Sequence, residues 1–175
     1  LIEAFGKAAE RLPQGWRLLV VGRDDGVAPA AKTLAESLGI ANNILFLGAR
    51  NDVPDLLNAS DVGLLSSHEE GFSNAIIEGM RAGLPMIVTD VGGNAEAVIN
   101  GKTGVVVPAR DPAALAKAIT QLASDAPRRR SYGDNGRQRV EQYFTLDSCV
   151  AAYEATYRGL LAGKAPSEIA EIHHQ

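Results

Sequence analysis

Residues 62–108 read VGLLSSHEEGFSNAIIEGMRAGLPMIVTDVGGNAEAVINGKTGVVVP, and the fold is decided in this stretch. Three short apolar runs stand out: Val62–Leu65, Met86–Val88 and Val105–Val107. They are continuous rather than alternating, the pattern of strands buried on both faces. Helical patterns at Asn74–Ala82 and Asn94–Ile99 separate them. The same grammar extends upstream, where Leu18–Val21 and Ile44–Leu47 are followed by helical patterns at Ala30–Leu38 and Val53–Asn58. Strand, helix, strand at intervals of roughly 20 residues predicts right-handed crossovers and an α/β fold, a parallel sheet with helices on both faces.

Outside this block the chain is helical. Leu1, Phe5, Ala8, Ala9 and Leu12 share one face of an amphipathic helix. A chain that starts on a core-facing helix without an initiator Met reads as a fragment of a larger parent. After Pro108, Asp111 suits an N-cap and Pro112 the first helical position. The stripe Leu115, Ile119, Leu122, Ala123 follows and ends near Pro127. A second helix is expected over Ser131–Tyr143. Thr145 caps a third that runs to about Ala162, with Val150, Tyr153, Tyr157 and Leu160 turned inward. Residues 163–175 have little to pack against and should fray. Within them His173-His174 lacks further ligands and reads as solvent-exposed.

Composition removes several function classes. The 175 residues carry a net charge of −4, so nucleic acid is not favoured as a partner. Hydrophobic residues make up 46%, enough to offset ordering entropy and exclude wholesale disorder. No apolar run approaches the ~20 residues that cross a bilayer. The single cysteine, Cys149, excludes an internal disulfide and fits a reducing compartment.

In an open parallel sheet, ligands bind beyond the carboxyl ends of the strands. The loops there are Gly22–Gly26, Gly48–Asp52, Ser66–Asn74 and Thr89–Asn94. In the third loop Gly71 lets backbone approach a ligand, and Ser73 or Asn74 can cap the helix that follows. The first amides of that helix, around Asn74–Ile76, form an anion site suited to phosphate or diphosphate. Glu70 precedes the helix and Glu78 lies one turn inside it. Two carboxylates around an anion site fit a polyhydroxylated ligand carrying phosphate, such as a nucleotide sugar. Glu78 is flanked by Ile76, Ile77 and Met80, so burial without a partner would be costly. Glu69 is expected in solvent. Paired carboxylates also serve glycoside hydrolysis, but the adjoining phosphate-type helix start argues against it. A dehydrogenase is disfavoured: Gly22-Arg23-Asp24-Asp25-Gly26 is not G-x-G-x-x-G, and its acids repel a pyrophosphate. No metal-ligand spacing, G-x-S-x-G or Cys/His pair occurs.

Residues 69–85, EEGFSNAIIEGMRAGLP, with MIVTDVGGNAEAVINGKTGVVVP after them, closely resemble the donor-binding half of glycosyltransferase family 4, the glycosyl transferases group 1. Glu70 and Glu78 meet its E-x7-E signature, and Gly92-Gly93-Asn94-Ala95-Glu96 its glycine-rich stretch. The resemblance spans about residues 1–162 and implies the Rossmann-like C-terminal half of a GT-B fold, closed by helices over about 112–162, with 163–175 as a tail. It implies a retaining transferase that moves a hexose-type sugar from a nucleotide diphosphate to a glycan, lipid or small-molecule acceptor. Glu70 would be the catalytic-centre residue, bonding hydroxyls of the sugar. The amides of Gly71, Phe72, Ser73 and Asn74 would hold sugar and diphosphate, Glu78 the ribose, and Gly48, Ala49 and Arg50 the base. No cofactor, metal or protein nucleophile is implied, since the leaving diphosphate helps deprotonate the acceptor.

The family also places an Arg and a Lys on the first strand of this domain and its loop, clamping the diphosphate. That strand would precede Leu1, and Arg23 is no obvious substitute. The acceptor-binding domain would belong to the parent, and the chain alone is expected to be inactive. Two other readings remain beside this one: a nucleotide-sugar 2-epimerase and a non-catalytic nucleotide-sugar-binding module. Family members work in polysaccharide biosynthesis, several of them at membranes. The parent is therefore expected in the cytoplasm, with peripheral association at the inner membrane face as a further option. Arg128-Arg129-Arg130 is too short for a polybasic anchor and reads as a solvated helix face.

Overall fold

The structure, a computed structural model, describes residues 1–165. It comprises two compact units, residues 1–137 and residues 138 onward. His173 and His174 lie outside the described residues.

The first unit alternates helix and strand. It begins with α1 (Ile2–Ala8), then β1 (Leu18–Val21), α2 (Ala28–Ser37), β2 (Ile44–Gly48) and α3 (Val53–Asn58). Next come β3 (Gly63–Leu65), α4 (Asn74–Arg81), β4 (Met86–Thr89), α5 (Asn94–Ala97) and β5 (Gly104–Val107). Helix α6 (Pro112–Ser124) and the first part of α7 (Ala126–Tyr143) complete it. Every strand pairing is parallel, as the continuous apolar runs predict. All four residues of β4 are buried, the reason its sequence shows no alternation.

One feature departs from the single sheet expected. Hydrogen bonds divide the described strands into a pair, β1-β2, and a triplet ordered β3-β4-β5. Leu18 stands opposite Ile44 in the pair, and Met86 stands between Gly63 and Gly104 in the triplet. The two sheets nevertheless share one core. Ile2, Phe5 and Ala8 of α1 pack in a single cluster with Leu18 and Ile44 from the pair, Ile87 and Val107 from the triplet, and Leu115, Ile119 and Leu122 of α6. Helix α1 lies against both α6 and α2, so it joins the sheets through side chains alone. Its buried face is Ile2, Ala4, Phe5 and Ala8, while Leu1 is exposed, contrary to the stripe that begins at Leu1.

Capping explains where the helices begin. Asp111 Oδ1 accepts from the amides of Ala113 (3.0 Å) and Ala114 (2.9 Å), opening α6 as expected. Helix α7 starts at Ala126, earlier than the predicted Ser131. Asp125 Oδ1 accepts from the Arg128 amide at 2.9 Å, and Pro127 is tolerated in the first turn. The Arg128–Arg130 run is therefore helical. Arg129 Nη1 donates to the carbonyls of Leu122 (2.7 Å) and Ala123 (2.8 Å), satisfying the last turn of α6. Asp24 serves α2 in a different way. Its Oδ1 accepts from the amides of Gly26 (2.9 Å) and Ala28 (3.1 Å). The acid occupies the amides that a pyrophosphate would need, which sharpens the case against a dinucleotide site there.

In the second unit Thr145 Oγ1 accepts from the Ser148 amide at 3.1 Å and caps α8 (Leu146–Leu161). The expectation that its apolar stripe points inward is not met. Val150, Tyr153, Tyr157 and Leu160 are 49%, 62%, 62% and 51% exposed. Helical spacing places residues on one face but says nothing of what covers that face. Tyr153 and Tyr157 stack on each other, ring centroids 6.4 Å apart.

Two outcomes are expected. A Cβ on Gly133 of α7 would collide with the Gly83 carbonyl oxygen. Gly133→Ala should therefore destabilise by about 1–3 kcal/mol, reversing the ~1 kcal/mol that Ala normally gains over Gly inside a helix. Urea unfolding reads the sign, and a more stable variant would show that the helix does not approach so closely. The second concerns pH. Backbone hydrogen bonds, that from Ala28 foremost, hold the Asp24 carboxyl below its usual range. A depressed folded pKa adds stability above the unfolded value and loses it as pH falls through the folded one. Asp24→Asn should thus unfold at lower urea than the native chain near neutral pH, and the two midpoints should converge as pH falls through the folded-state value of Asp24.

Candidate functional site

The loops after β3 and β4 meet at one point, and glycine permits it. Gly93 donates its amide to the Gly71 carbonyl at 2.6 Å. Gly92 has φ 51°, and a Cβ there would collide with the Glu70 carbonyl. A Cβ on Gly93 would meet the Gly71 carbonyl and the Phe72 ring. Only a chain without Cβ atoms at both positions passes this close.

A hydrogen-bonded series runs across the same contact. Asn94, fully buried at the start of α5, donates Nδ2 to the Thr89 carbonyl at 3.0 Å. Thr89 closes β4, is 4% exposed, and donates Oγ1 to the Ser67 carbonyl at 2.7 Å. Ser67 in turn donates Oγ to Glu70 Oε1 at 2.7 Å. Asn94 Oδ1 is buried without a hydrogen-bond partner among the described residues.

Next to Glu70 stands the start of α4. Ser73 occupies its N-cap position with extended backbone (φ −93°, ψ 117°), but its hydroxyl makes no cap bond. The Ile76 amide turns back to the Ser73 carbonyl at 3.2 Å. The amides of Asn74 and Ala75 have no acceptor among the described residues, so the helix presents free donors and the positive end of its dipole. Glu70 is half-buried, Ser73 is buried, and Gly71, Phe72 and Asn74 are exposed.

Glu78 requires a correction. Helix α4 buries Ile76, Gly79 and Met80, whereas Glu78 shares the exposed face with Asn74. The sequence argument that burial forces a partner on Glu78 fails, because its apolar neighbours lie on the other side of the helix. Its placement one turn from Asn74 stands. Glu69 is exposed, as expected.

Gly48, Ala49 and Arg50 sit at the carboxyl end of β2 in the other sheet, all exposed. Arg50 is engaged locally, its Nε and Nη2 donating to Asp52 Oδ1 (2.8 Å) and Oδ2 (2.6 Å). That bidentate pair depresses the Asp52 carboxyl and raises the Arg50 guanidinium. Arg23 likewise pairs with Asp25 at 3.1 Å, both highly exposed. Neither arginine reaches the Glu70 loop through a hydrogen bond or ion pair.

Sequence reasoning assigned no role to Ser67 or Thr89, nor to a cleft of about 460 Å³ beside them. Ser66 and His68 from the loop after β3 line it, with Thr89, Arg110 and Leu34. Arg110 holds a left-handed backbone, φ 58°, unusual for a residue with a Cβ. Among the described residues no group of three His, Cys, Asp or Glu side chains could hold a metal ion. No helix among them is long and apolar enough to cross a membrane.

A half-buried carboxylate with one oxygen fixed, free amides beside it and a second carboxylate one turn on can bind an anion that also carries hydroxyls. Comparison with known proteins gives the family of the chain. N-acetyl-alpha-D-glucosaminyl L-malate synthase of Bacillus anthracis is 33% identical over 161 residues, which cover 92% of this chain and 42% of that protein. The structure of sucrose-phosphate synthase from Thermosynechococcus elongatus superposes with a TM-score of 0.79 at 30% identity, over 93% of this chain and 43% of that one. Anabaena HepE, crystallised in complex with UDP-glucose, gives a TM-score of 0.74 at 26% identity, over 81% and 39%. The chain thus spans less than half the length of each of these proteins. Residues 1–139 match the family described as Glycosyl transferases group 1, and the chain belongs to that family, with the α/β fold of GT-B glycosyltransferases.

Proposed function

We propose that residues 1–162 form the nucleotide-sugar-binding C-terminal domain of a retaining glycosyltransferase of family 4. The observation that carries this reading is Glu70, oriented by Ser67 beside the uncapped amides of α4. Glu70 accepts hydrogen bonds from hydroxyls of the transferred hexose. The amides from Gly71 to Asn74 hold the sugar and diphosphate. Glu78, exposed and one turn further along α4, accepts from the ribose, and the base lies against Gly48, Ala49 and Arg50. The relative crystallised with UDP-glucose supports a nucleotide sugar as the ligand class.

In the reaction the bond from the anomeric carbon to the diphosphate breaks, and a bond to the acceptor oxygen forms on the same face. The acceptor proton passes to the leaving phosphate, so neither a metal nor a protein nucleophile is used. The protein contributes orientation and charge stabilisation. The acceptor site belongs to an N-terminal domain of the parent. A first strand carrying the phosphate clamp belongs to the parent, and the outer edges of β1 and β3, unpaired among the described strands, are where it would bond. The parent works in the cytoplasm on glycans, glycolipids or small glycosides, at the inner membrane face where the acceptor is a lipid. The 175-residue chain alone binds the donor weakly and does not transfer sugar.

Calorimetric titration with UDP-, GDP- and ADP-sugars tests the assignment. Glu70→Ala should weaken the best donor about tenfold while sparing the free nucleotide. Glu78→Ala should weaken both ligands to a similar degree. If both variants bind that donor as tightly as the native chain, these residues are not the site. Sugar transfer by the isolated chain would refute the division of labour with a second domain.

A further inference from the structure

We infer that Ser67 and Thr89 are positioning residues for Glu70, and that the end of β4 sets the aim of its carboxylate. The inference rests on the donor reading above and goes beyond it to side chains that do not touch the ligand. Ser67 reaches Glu70 Oε1 with a 2.7 Å hydrogen bond, typical of a hydroxyl donating to a charged acceptor. This fixes one carboxylate oxygen and leaves the other, Oε2, to accept from a ligand hydroxyl. Ser67 is placed by its backbone, and its carbonyl is held by Thr89 Oγ1, also at 2.7 Å. Thr89 is 4% exposed, closes the central strand of the triplet and pairs there with Val107 of β5, so its hydroxyl starts from a buried position in the sheet. Asn94 completes the series by donating to the Thr89 carbonyl. The Gly93–Gly71 bond pins the far side of the loop. Glu70 is therefore tethered from both flanks, to β4 through Ser67 before it and to the loop after β4 through Gly71 behind it.

The hydroxyls have separable roles. Without the Ser67 hydroxyl, the carboxylate loses its fixed partner while the loop backbone stays in place. Without the Thr89 hydroxyl, the half-buried Ser67 carbonyl loses its donor, and the loop itself is released. Thr89→Ser keeps the oxygen and should retain the native behaviour.

Nitrogen-15 NMR on the native chain and on Ser67→Ala, Thr89→Val and Thr89→Ser tests both roles. Without ligand, Thr89→Val should lower the order parameters of residues 67–72, and Thr89→Ser should return them to native values. Unchanged order in Thr89→Val would overturn the tether. Titration with UDP and with UDP-glucose then gives a ratio of affinities for each protein. Ser67→Ala should lower the native preference for UDP-glucose over UDP by about tenfold, with UDP binding unmoved. A preserved ratio in that variant overturns the positioning role, and an equal fall for both ligands means the role is merely structural. If the native chain binds none of UDP, UDP-glucose and the GDP- and ADP-sugars, the donor reading and the ligand role of Ser67 fail together, while the order parameters still decide the tether.

Discussion

The structure depends on a short helix that bonds to neither sheet. Helix α1 contributes Ile2, Phe5 and Ala8 to the one cluster containing residues of both the β1-β2 pair and the β3-β4-β5 triplet. Among the described residues no backbone hydrogen bond links the pair to the triplet, so within them side-chain packing fixes one against the other. Truncating Phe5, which also stacks on Trp16 with ring centroids 5.3 Å apart, would remove apolar burial from this shared cluster. Losses of that kind cost about 3–5 kcal/mol, a large fraction of a domain's net stability. Helix α6 supports α1 from the other flank and carries the cluster onto β4 and β5. The site loops leave the triplet at β3 and β4, so their placement inherits the accuracy of this packing.

Much of this was legible in the sequence because buried parallel strands and capped helices leave local marks. The five apolar runs fall within a residue of the strands, and α3 spans the residues its pattern predicts. Asp111 and Thr145 cap as their positions imply. Errors arose where two local signals compete or where the answer is not local. Pro127 reads as a helix end until Asp125 is seen capping from outside it. Glu78 reads as buried among apolar neighbours, yet helical geometry turns those neighbours away from it. The stripe on α8 is real, but its exposure depends on what lies opposite.

The site divides in the same way. Glu70, Gly71, Phe72, Ser73 and Asn74 are contiguous, and their loop was found from the glycine, the helix start and the carboxylates. Ser67 and Thr89 were overlooked because their bond joins residues 22 apart and follows no repeat. Gly92 and Gly93 were visible as a pair, but the reason for them was not. They are required by the carbonyls of Glu70 and Gly71, which belong to another loop.

That crossing of loops also bears on the entropy of binding. A free surface loop that closes on a ligand loses backbone and side-chain freedom, and the loss is subtracted from affinity. Here the Glu70 loop has already given up that freedom on folding, through Gly93 on one side and Thr89 on the other. A ligand bound as proposed would meet a preorganised carboxylate rather than one it must order, and its contacts at this loop would appear in affinity with little deduction.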